Sequence, residues 1–136
     1  KYGACIVVPV MDEEMPVNPV DRLKSIEDIV HYIRSYGIPA EDIILDCGAS
    51  SVETHPGKSM ETIETIRLIK NELGLKTTLN VERISAGSLQ RDGDPFVNTF
   101  LAMSLASGLY VPVLDTMSSY LIETVNAFRK LTGQTG

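Results

Sequence analysis

The sequence predicts an α/β fold, half of a parallel (β/α)8 barrel, on three observations. Apolar, β-branched runs alternate with amphipathic helical stretches through about four units of roughly 30 residues each. The units follow one another without a linker. The connection after the first run, Met11-Asp12-Glu13-Glu14-Met15-Pro16, is acidic and lacks glycine, whereas a doubly wound sheet usually announces a Gly-rich phosphate loop there. Alternation makes the sheet parallel, since each crossover must be right-handed and each helix must cover a sheet face. A complete barrel takes about 250 residues, so four units make about half of one.

The first run, Ala4-Cys5-Ile6-Val7-Val8-Pro9-Val10, is apolar on both parities, as expected of a strand buried on both faces. Asn18-Pro19 supplies an N-cap followed by proline at the first helical position, and Leu23, Ile26, Ile29, Val30 and Ile33 recur at helical spacing before Gly37. Ile43-Ile44-Leu45 closes on Asp46, and the next helix carries Ile63, Ile66, Ile69 and Leu73 before Gly74. Thr77-Thr78-Leu79-Asn80-Val81 leads through a loop to Asp94-Pro95, a second cap-plus-proline start, with Val97, Phe100, Leu101 and Leu105 before Gly108. Residues 109–114 close on Asp115, and the last helix carries Leu121, Ile122, Val125, Phe128 and Leu131 before Gly133.

A half barrel leaves two strand edges and an inner face uncovered, so the edges are expected to pair with the missing half or with a second copy. The opening at Lys1-Tyr2-Gly3-Ala4-Cys5, without an initiator Met, is what a piece of a longer protein would show. With 43% hydrophobic residues among 136, the chain has enough apolar surface for a substantial core. A net charge of −6 and scattered Lys and Arg leave no basic stripe, which argues against nucleic acid as a partner. No apolar stretch approaches the roughly 20 residues that span a bilayer, so no membrane partner is expected. Cys5 and Cys47 both fall in apolar runs read as strands, with no secretory leader, and are taken as reduced in a cytoplasmic protein.

In a barrel the chemistry sits at the C-terminal ends of the strands. Those ends carry Asp12 and Glu13, then Asp46, then Asn80 with Glu82 and Arg83, and last Asp115. Such a rim suits a polar, hydrogen-bonding heterocycle better than a phosphate. The blander reading is that an Asp just after a strand serves as a turn or cap residue. Asp46 stands out because the segment after it, Cys47-Gly48-Ala49-Ser50-Ser51-Val52-Glu53-Thr54-His55-Pro56, is longer than a connector needs. His55 within it is read as an acid, base or ligand, or as a solvated loop residue. Cys47 and His55 lack further metal ligands at familiar spacing, so no metal site is expected, and His31 is read as structural or exposed. The second long loop, from Glu82 to Gly93, holds Arg83 and Arg91, which either grip a ligand carboxylate or pair with neighbouring Asp92 and Glu82. No Ser-His-Asp set or nucleophile elbow is present.

The stretch Asn98-Thr99-Phe100-Leu101-Ala102-Met103-Ser104-Leu105-Ala106-Ser107-Gly108-Leu109, with Val113-Leu114-Asp115, resembles the last-but-one helix and last strand of the methyltetrahydrofolate:corrinoid methyltransferases, a group that includes the folate barrel of cobalamin-dependent methionine synthase. Similarity also runs through Gly3-Ala4, Asp21-Arg22-Leu23, Gly37-Ile38-Pro39-Ala40-Glu41-Asp42-Ile43 to Asp46, residues 61–74 and Lys76-Thr77. It thus covers nearly all of residues 1–136, aligned to the second, C-terminal half of that family's pterin-binding barrel. The resemblance implies exchange of the N5-methyl of methyltetrahydrofolate or tetrahydrofolate with the cobalt of a corrinoid (cobalamin) on a partner protein or domain. It assigns Asp46 to the amino-pyrimidine edge of the pterin. Where the family has an Asn near N5, in a Gly-Leu-Ser-Asn pattern, this chain reads Asn80-Val81-Glu82-Arg83. Arg83 therefore takes the catalytic position, with Asp46, Asn80, Asp115 and Arg91 as substrate-binding candidates. An arginine only donates and stays cationic, which would oppose protonation of N5. Asn80 is the nearest substitute, but along a strand it alternates to the other parity from Arg83.

The expected function is a pterin-side methyltransferase, with the isolated stretch of 136 residues inactive. The alternatives are a non-catalytic barrel module of a corrinoid methyl-transfer system and a dihydropteroate synthase. Against the latter, the chain lacks that family's Ser-Arg-Lys after the third strand and its Arg-x-His on the last.

Overall fold

A computed structural model describes residues 3–85 and 93–134. It contains four short strands, β1 (Ile6–Pro9), β2 (Ile43–Asp46), β3 (Lys76–Asn80) and β4 (Val111–Val113), and four helices, α1 (Pro19–Arg34), α2 (Lys58–Leu68), α3 (Pro95–Ser107) and α4 (Ser119–Leu131). All strand pairs are parallel, in the sequential order β1-β2-β3-β4. Each helix packs on the next, α1 on α2, α2 on α3 and α3 on α4. Right-handed crossovers between neighbours in sequential order put every helix on the same side, the arrangement of half a (β/α)8 barrel and not of a doubly wound sheet.

The caps form where the sequence places them. The Asn18 side chain accepts from the N–H groups of Val20 and Asp21 at 2.9 and 3.3 Å, and Asp94 accepts from Phe96 at 2.9 Å, each just ahead of a proline that needs no partner for its nitrogen. Gly74 and Gly108 close their helices in left-handed conformation. At Gly108 (φ 109°) a Cβ would also collide with the Lys70 side chain. The helix read through Ile69 and Leu73 ends in a π turn, Ile69–Leu73, which keeps Ile69 fully buried.

The two faces of the sheet differ sharply. Ile43, Leu45 and Leu79 are wholly buried under the helices with Ile26, Ile66, Ile69 and Leu101, each contributing about 1.5–3 kcal/mol by burial. Residues of the other parity open to solvent: Val7 is 58%, Val113 52% and Val111 41% exposed. Burial on both faces, as the apolar runs suggest, is therefore not realised within this chain. The open side is the one that faces the interior of a closed barrel, and the opposite strands would cover it. Cys5 lies just outside β1 and is exposed, while Cys47 follows β2 and is buried; both are free thiols.

Arg22 is the one charged residue among the described residues that is fully buried, at 1% exposure. It occupies the stripe of α1 that Ile26 and Val30 continue at four-residue spacing. Its guanidinium donates to the carbonyls of Pro16, Val17 and Glu61 and to the Thr65 hydroxyl, at 2.6–3.3 Å, and lies 3.9 Å from the Glu64 carboxylate. One side chain thereby ties the β1–α1 connection to α2.

Candidate functional site

The register sets which side chains share the open face. Asp46 pairs with Thr78, Thr78 with Val111, and Asn80 with Val113. Alternation puts Val7, Ile44, Asp46, Thr78, Asn80, Val111 and Val113 on that face together. They line a cleft of about 380 Å³, with Gly48, Ala49, Leu79 and Arg83 completing it. The cleft runs along the open face of the sheet from Val7, Ile44 and Val111 to Asp46, Asn80 and Val113 at the C-terminal strand ends, where barrels keep their chemistry.

Each acidic or amide residue at a strand end uses one oxygen in the same way. Oδ1 of Asp12, Asp46, Asn80 and Asp115 accepts from the backbone N–H two residues on, namely Glu14 (3.0 Å), Gly48 (2.9 Å), Glu82 (3.1 Å) and Met117 (2.9 Å). These are side-chain turns, and the blander reading of the rim is thus correct for part of every residue. The remainder separates them. Oδ2 of Asp46 and Nδ2 of Asn80 stay without a protein partner among the described residues, and both side chains line the cleft. Asp115 is exposed and does not line it.

Arg83 lies in the cleft on the same side as Asn80, against the strand-parity expectation. The cause is local. β3 stops at Asn80, and Val81–Ser85 winds as a 3₁₀ turn. With three residues per turn, positions three apart eclipse, so Asn80 and Arg83 come to one side while Val81 and Ile84 are buried. The turn is pinned where the Val52 N–H donates to the Ile84 carbonyl at 3.0 Å, which links it to the loop after β2. Arg83 is exposed and makes no ion pair or hydrogen bond among the described residues. Arg91 lies outside the described residues.

Beneath the cleft floor, Cys47 is wholly buried, and burial first, then the neighbouring Asp46 charge, pushes its thiol from the ordinary 9.0 up to about 12. It is a neutral core thiol, not a nucleophile. His55 is exposed, with Nδ1 2.8 Å from the Thr54 hydroxyl, and stands apart from the cleft. His31 is exposed on α1. No group of three or more His, Cys, Asp or Glu side chains among the described residues is arranged to hold a metal ion. No helix among them is long and apolar enough to cross a membrane.

Thr78 joins the site without having been singled out from the sequence. It lies two residues before Asn80, and its hydroxyl donates to the Val111 carbonyl at 2.7 Å, fixing β4 against β3 at the cleft wall. Three other grooves compete on size among the described residues. The first, about 410 Å³, is lined by Glu27, Asp28, His31 and Arg34 of α1 with Ala40 and Leu75, just ahead of β2 and β3, and so sits at the N-terminal ends of those strands. Two more remain. One of about 1040 Å³, lined by Lys70, Gly74, Tyr110 and Phe128, sits at the N-terminal ends of the strands, the end of a barrel that carries stability and not chemistry. The other, about 340 Å³, runs between α2 and α3 and is almost wholly apolar, with the neutral hydroxyl residues Ser59 and Thr99 and no charged residue in its lining. The cleft along the open sheet face brings a free carboxylate oxygen, free donors and apolar walls together at the C-terminal strand ends. No family model matches the chain.

Proposed function

We propose that residues 1–136 are the C-terminal half of the pterin-binding barrel of a methyltetrahydrofolate:corrinoid methyltransferase, moving a methyl group between a tetrahydrofolate and a corrinoid cobalt. The observation that carries this reading is the convergence of Asp46, Asn80 and Arg83 on one cleft between apolar walls. A pterin offers a flat ring to the walls, an amino-pyrimidine edge of adjacent N–H donors and a ring nitrogen that gains or loses the methyl. Asp46, with Oδ2 uncommitted, accepts from that donor edge; a carboxylate does so more strongly than a neutral acceptor. Asn80, whose Oδ1 is already held by Glu82, turns its Nδ2 donors toward the cleft.

Loss of the N5-methyl requires N5 to carry a proton as the bond breaks, and the reverse reaction passes through the same charge. The Arg83 cation at this position raises the energy of that state equally from both sides, so it does not select a direction. Asn80 supplies a neutral donor beside it, which the 3₁₀ turn makes available. The corrinoid, on a partner protein or domain, supplies the cobalt that takes or gives the methyl; this chain's residues bind and orient the pterin. Asp115 and Arg91 remain candidates for contacts beyond the cleft.

The exposed, unpaired Arg83 favours a second reading, a non-catalytic barrel module of the same methyl-transfer system. Calorimetric titration of the full-length protein with methyltetrahydrofolate separates the two. Micromolar binding accompanied by transfer to reduced corrinoid is the expected result, binding without transfer in either direction favours the module, and absence of all pterin binding defeats the proposal.

A further inference from the structure

We infer that the groove at the N-terminal ends of β3 and β4 is a second binding site, separate from the cleft on the open face, and that it takes an organic phosphate with an aromatic body, the chemistry of a nucleoside diphosphate. The groove measures about 1040 Å³, and its walls come from this chain: the π turn after α2, the starts of β3 and β4, and the last turns of α3 and α4. Pro112 pairs with the buried Leu79, and the Tyr110 N–H donates to the carbonyl of the buried Thr77. Alternation therefore puts Tyr110 and Pro112 on the helix-covered side of the sheet, opposite to Val111 and Val113. Strands that close the barrel over the open face would leave this groove in place. The site stands whether or not the cleft binds a pterin.

Charge sets the groove apart. Lys70, Lys76 and Arg129 line it and no Asp or Glu does among the described residues, in a chain with 18 acidic residues against 12 basic ones. Two of the cations are held in place. The Lys76 ammonium donates to the Glu41 carbonyl at 3.1 Å and lies 5.2 Å from the centre of the Tyr110 ring. The Lys70 stem lies against Gly108, where a Cβ would collide with it, and its ammonium has no hydrogen bond or ion pair among the described residues. Cations in last turns have a plainer role, offsetting the negative end of the helix dipole. That role covers Lys70 and Arg129 but not Lys76, which opens β3. A single carboxylate answers one of the three charges, whereas a phosphate ester brings about −1.5 to −2. Between the cations, Leu109, Val125 and Phe128 form an apolar wall, and Tyr110, 62% exposed, offers an aromatic ring for a flat body to pack on. The volume stands at the upper end of the roughly 300–1,000 Å³ of small-molecule sites, room enough for a nucleotide.

Equilibrium binding of ADP, pyrophosphate and adenosine to the full-length protein tests this. ADP should bind with a Kd below about 1 mM, and at least about 10-fold more tightly than pyrophosphate, which lacks the aromatic body, or adenosine, which lacks the charge. Its affinity should fall as salt is added. Lys70→Glu should weaken ADP by at least about 10-fold, Lys70→Arg should stay within about threefold of the parent, and Asp46→Asn, across the sheet, should stay within about twofold. ADP should raise the melting temperature of the parent and not that of Lys70→Glu. Lys70 is exposed, so the ligand-free variants should keep their stability to within about 1 kcal/mol, which serves as the folding control. If Lys70→Glu lowers ligand-free stability while ADP affinity holds, Lys70 serves the helix end alone and the inference fails. No ADP binding at about 1 mM, or pyrophosphate or adenosine binding as tightly as ADP, also overturns it. Loss of ADP binding in Asp46→Asn would place the nucleotide in the open cleft and overturn it as well. Failure of pterin binding leaves this site standing, and failure of ADP binding leaves the pterin reading standing.

Discussion

Replacing Asp46 by asparagine changes the ligand-facing atom of the cleft while sparing the fold. The substituted amide would keep an Oδ1 to accept the Gly48 N–H, the 2.9 Å contact that shapes the turn after β2. What changes is Oδ2, now a free carboxylate oxygen and in the variant an NH₂ group. A charge-assisted hydrogen bond of about 1.5–3 kcal/mol is lost, and a donor is left facing the ligand's donors. Together these place the penalty at about 3–4 kcal/mol, or roughly 100- to 1,000-fold in Kd for methyltetrahydrofolate. Unfolding free energy should move by less than about 0.5 kcal/mol, because no buried partner is stranded. Isothermal titration of wild-type and Asp46→Asn full-length protein reads the first quantity and urea denaturation the second. If wild-type protein binds methyltetrahydrofolate and the variant binds it within threefold, Asp46 does not hold the pterin edge.

Four further outcomes follow from the fold. Arg22→Met should cost about 1–3 kcal/mol in urea denaturation, since it removes the donor to the Glu61 and Thr65 oxygens and the tie from the β1–α1 connection to α2; an unchanged stability would show that Arg22 is not the clamp described. The folded Cys47 thiol, raised to about 12, keeps its proton in a range where the unfolded thiol has released it. Its stabilising contribution is therefore complete below about pH 9 and is lost as pH climbs toward 12, by at most about 4 kcal/mol. A Cys47→Ala variant should show a shallower alkaline decline than the parent, and identical slopes would contradict the burial of the thiol. In native protein a thiol reagent should label Cys5 rapidly and Cys47 only on unfolding. Gly108→Ala should lower stability by at least about 1 kcal/mol, because φ is 109° and the added methyl meets Lys70; an unchanged melting temperature would contradict that geometry.

The sequence carried its elements wherever local chemistry sufficed. Asn18-Pro19 and Asp94-Pro95 each start a helix because capping and proline act within four residues, and Asp46 and Asn80 end strands because side-chain turns compete there with the ladder. Non-local features were less visible. The apolar run of β1 reads as doubly buried, since a strand that awaits cover across a barrel has the same composition as one already covered. Asn80 and Arg83 were expected on opposite sides of the backbone because the change from strand to 3₁₀ turn after Asn80 alters the period from two to three with no proline or glycine to mark it. The same change makes Asn80 and Arg83 neighbours in one cleft, which strengthens the candidate site. Arg22 offered one signal, its place on the Ile26–Val30 stripe, but two of its four acceptors, Glu61 and Thr65, come from α2, about 40 residues away in the chain.

The central claim is methyl exchange at this cleft, and isotope transfer tests it most directly. Full-length protein would be incubated with a corrinoid protein carrying a labelled methyl group and with tetrahydrofolate, and label in methyltetrahydrofolate measured over time. The account predicts labelled methyltetrahydrofolate at a rate that Asn80→Ala and Asp46→Asn both reduce. Transfer that is indifferent to both substitutions, or no transfer together with no pterin binding, would contradict it.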